Sequence, residues 1–136
     1  MKVSVITVCY NAIHGIEKTI LSVLSQSHDD IEYIVIDGGS TDGTLDVIQK
    51  YREKITYFVS EPDGGIYDAM NKGVRVANGE WINFLNAGDV FASKDAIKES
   101  LSIDTEGVDV IYGDSIKFTK ELSHIVPASD DVKRMS

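Results

Sequence analysis

The sequence predicts an α/β fold, a three-layer sandwich in which helices cover both faces of a mostly parallel, Rossmann-like sheet. Two observations favour this class. Apolar runs rich in β-branched residues alternate along the chain with amphipathic segments, which is the order of strand–helix–strand units. The first two runs, residues 2–9 and 31–37, are almost continuously apolar, as strands are when both faces of the sheet are covered.

The alternation continues to about residue 120. Strands are predicted over residues 2–9, 31–37, 55–60, 80–85 and 108–113, with residues 114–120 as a candidate sixth strand. Helices are predicted, from apolar residues three and four positions apart, over residues 13–26, 40–53, 64–79 and 93–101. Ser40 or Thr41 is expected to cap the second helix, and Asn78 and Gly79, which tolerate left-handed backbone, are expected to end the third.

Length and composition limit the class of protein. The 136 residues, 43% hydrophobic and 26% charged, fit one globular domain. No apolar run approaches the roughly 18 residues of a membrane span, and residues 1–10 lack the pattern of a signal peptide, so a cytoplasmic protein is expected. A single cysteine, Cys9, forbids an internal disulfide. The net charge of −9 argues against binding nucleic acid through a broad surface, but not against a small anion held by a divalent metal.

Acidic residues follow the predicted strands. Ligands of parallel sheets bind beyond the carboxyl ends of the strands, and there or nearby this chain places Asp37, Asp42, Asp63, Asp68 and Asp89. Any one of them is explained by the preference of aspartate for turns. Several carboxylates on one edge repel each other, however, and a cation or a hydrogen-bond donor from a ligand would relieve that repulsion.

Two common nucleotide-binding motifs are absent after the first strand. The stretch CYNAIHG, residues 9–15, contains neither G-x-G-x-x-G nor G-x-x-x-x-G-K-[ST]. The pyrophosphate of a dinucleotide could therefore not approach this turn in the usual way. The same stretch lacks the glycine-rich, basic loop that a sugar nucleotidyltransferase would need.

Four stretches together resemble the successive motifs of the family-two glycosyltransferases. They are VSVITVCYN, IEYIVIDGGSTDGT, SEPDGGIYDAMNKG and ANGEWINFLNAGD, in the family's order from about Val3 to Asp89. The resemblance implies the GT-A fold, here truncated, an inverting mechanism and a nucleotide-diphosphate sugar as donor. The third motif is similar to that of bacterial enzymes that build polysaccharides, which implies a glycan or lipid-linked acceptor and peripheral association with membrane-bound acceptor machinery at the inner face.

The resemblance implies roles for residues near the nucleotide. Tyr10 would stack near the nucleobase; the alternative is an aromatic side chain at the edge of the sheet that packs on the first helix. Asp37 would accept a hydrogen bond from the base or ribose, although the second acid that the family usually carries is replaced here by Gly38. Asp63 would touch the base, or would only form a turn.

On the third predicted helix, two residues have a role in the same resemblance. Asp68 would lie near the ribose or sugar, and Lys72 near a phosphate. The alternative is a plain surface ion pair, because the two residues are four positions apart on one helical face.

The metal-binding D-x-D motif of the family corresponds to residues 86–88, where this chain has Asn86, Ala87 and Gly88. Divalent ions prefer carboxylate oxygens, and Gly88 has no side chain. Asp89 is therefore the carboxylate available to Mg²⁺ or Mn²⁺, with the amide oxygen of Asn86 as a weaker ligand. Either Asp89 binds the metal, or metal binding is weak and other donors hold the diphosphate.

The general base that an inverting transfer needs is left unassigned, because the family places it beyond the nucleotide-binding half. The later acids Asp114, Asp130 and Asp131 lie in no family motif. Residues 1–122 are expected to be the N-terminal nucleotide-sugar-binding part, and residues 123–136 a polar tail at the start of a missing acceptor-side segment. A homodimer could form through the surface that such a segment would cover. The alternative hypothesis is a non-catalytic nucleotide-sugar-binding module.

Overall fold

The structure, a computed structural model, describes residues 2–101 with their side chains and residues 110–113 and 116–120 as backbone. The predicted polar tail over residues 123–136 lies outside the described residues, as do the acids Asp114, Asp130 and Asp131.

Strands of the described chain form one six-stranded sheet. They are β1 (Val3–Cys9), β2 (Ile31–Asp37), β3 (Tyr57–Ser60), β4 (Trp81–Phe84), β5 (Val110–Gly113) and β6 (Ile116–Lys120). The order across the sheet is β3-β2-β1-β4-β6-β5. The first four strands run parallel, and β6 runs antiparallel to both β4 and β5. The predicted mostly parallel sheet is confirmed, and the candidate sixth strand is its one reversed member.

Helices cover both faces of the sheet, which confirms the three layers. They are α1 (Ile16–Leu24), α2 (Thr44–Lys50), α3 (Ile66–Val76) and α4 (Ala96–Leu101), with a 3-10 turn at Arg52–Lys54. Every residue of β1 is buried. Its alternate side chains divide between two cores, so that Val5 packs with α1, α2 and α4 while Ile6 packs with α3. The apolar run of the first strand is continuous because both faces of this strand are buried.

Helix α3, which follows the carboxyl end of β3, packs closely against β1. A Cβ atom at Gly73 would lie 2.6 Å from Cγ2 of Ile6. Because real Cβ atoms do not approach other atoms so closely, the glycine permits this packing distance.

Two expected helix ends are wrong. The residue that precedes α2 is Gly43, with φ of 101°, and neither Ser40 nor Thr41 caps the helix. Instead, Asp42 Oδ1 accepts a hydrogen bond from Thr44 N at 3.0 Å. The hydroxyl of Ser40 is engaged elsewhere, because it donates to Asp37 Oδ1 at 2.5 Å and accepts from the backbone N–H of Asn11 at 2.8 Å.

The third helix does not end in left-handed backbone. Its C-cap, Ala77, is extended with φ of −72° and ψ of 137°. Asn78 then donates through its backbone N–H to Glu32 Oε1 at 2.7 Å. Gly79 lies so close to Ser4 that a Cβ atom would be 2.6 Å from its backbone nitrogen. Close approach of two backbones, and not positive φ, therefore requires this glycine.

The carboxylate of Asp37, the last residue of β2, joins the ends of three strands. Asp37 is 0% exposed. Its Oδ2 atom accepts hydrogen bonds from Gly39 N at 2.9 Å, Ser40 N at 2.8 Å and Ser60 Oγ at 2.8 Å. Its Oδ1 atom accepts from Ser40 Oγ and, at 3.3 Å, from Cys9 Sγ. Burial by itself would raise the pKa of the Asp37 carboxyl, but the hydrogen bonds from Ser40 and Ser60 outweigh it and hold the pKa below its ordinary value.

Replacing Asp37 with asparagine is expected to lower the free energy of unfolding at pH 7 by about 1–3 kcal/mol, the range for hydrogen bonds to a charged group. Because folding lowers the pKa of this carboxyl, its contribution is present above the ordinary carboxyl pKa of about 3.9 and is lost as the pH falls through the folded value. Urea unfolding should therefore show a wide gap between wild type and Asp37→Asn at pH 7 and a narrow one near about pH 3.

The control is Asp29→Asn, which neutralises an exposed carboxylate before β2. It should change the free energy of unfolding by no more than about 0.5 kcal/mol at either pH. A gap at Asp37 that stays constant between the two pH values would show that the charge of this carboxylate does not stabilise the fold.

Candidate functional site

A cleft of about 610 Å³ opens at the carboxyl end of β1, within the range of roughly 300–1,000 Å³ that ligand pockets occupy. Its walls come from the end of β1, the loops after β2, β3 and β4, and the start of α3. The side chains and backbone that matter most are those of Cys9, Tyr10, Gly38, Asp63, Ile66 and Asn86. The position agrees with the general rule that parallel sheets bind ligands beyond the carboxyl ends of their strands.

Two large apolar side chains of the cleft are exposed. Tyr10 is 64% exposed and Ile66 is 49% exposed, although most large apolar residues of the described chain are buried. An exposed aromatic ring in a concave site offers a face on which a planar ligand can stack.

The glycine at position 38 makes room for a carboxylate from another loop. A Cβ atom at Gly38 would lie 3.0 Å from Asp63 Oδ2. The other oxygen, Asp63 Oδ1, accepts a hydrogen bond from Gly65 N at 3.0 Å. The side chain of Asp63 therefore occupies the space beside residue 38, where the family usually carries its second acid.

The loop after β4, residues 86–89, carries two side chains with oxygen groups, one inside the lining of the cleft and one outside it. Asn86 lines the cleft, and its Oδ1 atom is buried with no hydrogen-bond partner among the described residues. Asp89 is exposed, and its backbone N–H donates to Asn86 O at 2.9 Å in a tight turn. Between them Gly88 has φ of 102°, and a Cβ atom there would meet nothing within 4 Å.

These residues fit a divalent ion only in part. Within residues 2–101 and the two described strands that follow, no group of three His, Cys, Asp or Glu side chains could hold a metal by itself. The unpartnered Asn86 oxygen and the Asp89 carboxylate are hard oxygen donors of the kind that Mg²⁺ and Mn²⁺ accept. A metal here would need further oxygen ligands, which the phosphates of a nucleotide could supply.

The remaining predicted site residues lie outside the lining of the cleft. Lys72 Nζ is 3.1 Å from Glu61 Oε1 and 3.9 Å from Asp68 Oδ2, so the ion pair considered as the alternative is present. Asp68 Oδ2 also accepts from Gly64 N at 2.9 Å, which holds the loop before α3. The structure thus brings together Tyr10, Asp63 and Asn86, and it places elsewhere Asp37, Asp68, Lys72 and Asp89.

Cys9 is also among the residues that line the cleft. Burial and the neighbouring Asp37 carboxylate raise the pKa of the Cys9 thiol well above its ordinary value. A thiol that stays protonated is a poor nucleophile, so Cys9 serves as a neutral hydrogen-bond donor to Asp37.

Polar residues of α1 and of the turn just after it hold the segment that follows β4, and the sequence analysis missed them. Thr19 Oγ1 accepts from Gly88 N at 2.9 Å. One turn later Ser22 Oγ accepts from Phe91 N at 2.7 Å, and Gln26 Oε1 accepts from Ile97 N at 3.1 Å. Their only signal in the sequence is a spacing of three and four residues, which places polar groups on one face of a largely apolar helix.

None of the helices in the described part of the chain has the length and apolar character of a membrane span.

Comparison with known proteins identifies relatives along most of the chain. A model of the family described as glycosyl transferase family 2 matches residues 4–135. The Bacillus subtilis protein TuaG, named for teichuronic acid biosynthesis, is 42% identical over 102 residues, which cover 73% of this chain and 40% of TuaG. An uncharacterized glycosyltransferase of Mycobacterium tuberculosis is 41% identical over 100 residues, which cover 73% of this chain and 38% of that protein. The chain therefore spans about two fifths of the length of these curated relatives.

Solved structures share the fold. Staphylococcus aureus TarS 1–349 in complex with UDP-GlcNAc is 31% identical with a TM-score of 0.71, and the match covers 81% of this chain and 33% of that one. The mannosyltransferase PcManGT of Pyrobaculum calidifontis, in complex with GDP-Man and Mn²⁺, is 20% identical with a TM-score of 0.76, covering 88% of this chain and 44% of that one. The second likeness concerns the fold alone. The predicted GT-A fold is confirmed, and because the family model matches nearly every residue, the chain belongs to glycosyl transferase family 2.

Proposed function

We propose that this chain is the donor-binding part of an inverting glycosyltransferase, which binds a nucleotide-diphosphate sugar for transfer to a glycan or lipid-linked acceptor. The observation that carries the proposal is the cleft at the carboxyl end of β1, with an exposed aromatic ring and a carboxylate facing the same space. Its support from relatives is TarS, which has this fold at 31% identity and was solved with UDP-GlcNAc.

In this proposal the nucleobase lies between Tyr10 and the loop that carries Asp63. The tyrosine ring offers an apolar stacking surface, since most of it is exposed. The carboxylate of Asp63 accepts a hydrogen bond from a ring N–H of the base. It is the acid beside Gly38, whereas both oxygens of Asp37 already accept hydrogen bonds from the chain itself. In this proposal Asp37, Asp68 and Lys72 act on the donor indirectly, through the loops that they hold. The direct contact with the donor that the family resemblance implies for these three residues stays a prediction.

The diphosphate is placed near residues 86–89. None of the described residues that line the cleft is Lys or Arg, and the chain carries a net charge of −9, so a bound cation would offset the charge of the phosphates. Asn86 and Asp89 would hold that cation, Mg²⁺ or Mn²⁺, together with phosphate oxygens. When bound, the ion stabilises the charge that develops on the leaving diphosphate.

The acceptor side of the proposal depends on relatives. TuaG is named for the synthesis of a cell-wall polymer, which supports a glycan or lipid-linked acceptor. A lipid-linked acceptor would bring a cytoplasmic protein to the inner face of the membrane by peripheral association. The division into a nucleotide-sugar-binding part over residues 1–122 and a tail over residues 123–136 stays a proposal, as does a homodimer.

Asp63→Asn should weaken binding of the preferred nucleoside diphosphate by about 1–3 kcal/mol, or roughly 5- to 150-fold. The asparagine keeps the oxygen that Gly65 N contacts but replaces the second oxygen with an N–H group, which repels a donor from the base. The measurement is calorimetric titration with UDP, GDP and dTDP in the presence of Mn²⁺.

Asp29→Asn is the matched control, because Asp29 is an exposed carboxylate in the loop before β2, and it should bind like wild type. Equal affinity of Asp63→Asn and wild type would remove Asp63 from the donor site. Failure of the wild type to bind any of the three nucleotides would contradict the proposed function as a whole.

Gly88→Asp should tighten Mn²⁺ binding in the presence of nucleotide by about tenfold, or about 1.4 kcal/mol, because it restores an acid of the family's D-x-D motif. The added side chain meets open space, but φ of 102° makes any residue other than glycine costly here by roughly 1–2 kcal/mol. Gly88→Ala has the same backbone cost without the carboxylate and is therefore the reference for the comparison.

For the wild type, Mn²⁺ should bind measurably only when nucleotide is present, since the described chain offers too few ligands by itself. Tight Mn²⁺ binding without nucleotide, or equal Mn²⁺ affinity of Gly88→Asp and Gly88→Ala, would show that the ligand assignment is wrong.

A further inference from the structure

We propose that Thr19 of α1 is a positioning residue for the diphosphate end of the donor, because its hydroxyl fixes the loop of residues 86–89. The inference rests on the proposed function and deepens it. Thr19 lies about 70 positions before this loop in sequence, and none of the motifs that carry the family resemblance includes it.

The hydroxyl oxygen of Thr19 makes two hydrogen bonds to the backbone of this loop. Thr19 is 0% exposed, and its Oγ1 atom accepts a hydrogen bond from Gly88 N at 2.9 Å. The same hydroxyl donates to Asp89 O at 2.7 Å, with Gly15 O farther away at 3.2 Å. A hydroxyl has one hydrogen and two lone pairs, so Thr19 satisfies an amide and a carbonyl of adjacent loop residues at once.

The loop is pressed against α1 where these bonds form. A Cβ atom at Gly15 would lie 2.9 Å from the Cα atom of Gly88, so the two backbones are in contact. On its other side the loop is tied to β1, because Ala87 N donates to Val8 O at 3.1 Å. Thr19 is therefore the anchor from the helix, and Val8 is the anchor from the sheet, for the residues that carry Asn86 and Asp89.

Two other polar side chains, one in α1 and one just after it, contact the backbone at positions farther along the chain than this loop. Ser22 Oγ binds Phe91 N at 2.7 Å, and Gln26 Nε2 donates to Ser93 O at 2.7 Å. Ser22 lies one turn after Thr19 in α1, and Gln26 lies just beyond the end of that helix. Both make the same kind of bond from side chain to backbone. They hold the segment after the loop, and Thr19 alone among the three touches residues 86–89.

Loss of the Thr19 hydroxyl should affect one end of the ligand more than the other. Tyr10 and Asp63 reside on different loops, so the position of the base is unchanged. Asn86 and Asp89 lose their anchor on the helix, so the diphosphate and its cation bind less well. A general loss of stability would instead lower the affinity for every part of the ligand in proportion.

The experiment compares Thr19→Val, which keeps the shape without the hydroxyl, with Thr19→Ser, which keeps the hydroxyl, and with Ser22→Ala as the matched control. The probes are whichever of UDP, GDP and dTDP binds the wild type with Mn²⁺, and the corresponding nucleoside without phosphates. Amide hydrogen exchange at Gly88, read by nuclear magnetic resonance, reports the loop directly in the absence of ligand.

In Thr19→Val we expect faster exchange of the Gly88 amide, about tenfold weaker binding of the diphosphate with Mn²⁺, and nucleoside affinity within about twofold of wild type. Thr19→Ser should restore all three values, and Ser22→Ala should leave them unchanged. Equal loss of diphosphate and nucleoside affinity, unchanged exchange at Gly88, or an equal effect of Ser22→Ala would each overturn the proposal.

If Thr19→Val does not fold, Thr19→Ala is measured in its place, and the same split between diphosphate and nucleoside is required. If the wild type binds none of the nucleoside diphosphates, the proposed function fails, whereas a wild type that binds them together with an unselective Thr19 variant refutes the positioning role alone.

Discussion

The buried carboxylate of Asp37 is the interaction on which the geometry of the cleft depends. An ionised group without solvent is costly unless its oxygens are satisfied, and here donors from Cys9, Gly39, Ser40 and Ser60 surround it. Because these donors come from β1, β3 and the loop after β2, the carboxylate fixes three strand ends at one point. The loops that leave those ends carry the tyrosine ring, the glycine and the acid of the cleft, so their mutual positions follow from this one buried charge.

Most of the architecture could be predicted because the information is local. Strands buried on both faces show as apolar runs, and the amphipathic pattern of α1 and α3 shows the faces that meet the sheet. The edge that carries the cleft follows from topology, since helices connect parallel strands and leave the carboxyl ends open. The helix cap expected at Ser40 or Thr41 is absent because another group competes for the hydroxyl of Ser40. The local preference of a hydroxyl for a helix start was outweighed by the buried Asp37 carboxylate, which binds Ser40.

The details of the site depended on contacts between distant segments. A threonine in an amphipathic helix looks like a neutral surface residue, and only the folded chain shows that Thr19 meets backbone groups about 70 positions later. For Asp37 the family resemblance implies a hydrogen bond with the base or ribose, and only the folded chain shows that both of its oxygens also accept hydrogen bonds from within the chain. The pairing of Gly38 with Asp63 likewise requires two loops to meet, which no periodicity along the sequence encodes.

That pairing has a consequence for how sequences in this family vary. The space beside residue 38 holds one side chain, and in this chain the loop after β3 fills it with Asp63, 3.0 Å from where a Cβ atom of residue 38 would stand. A relative that carries an acid at position 38 would need a smaller side chain at position 63 or a different position of that loop. The two positions should therefore vary together among homologues, with the negative charge kept in place while the strand that supplies it changes.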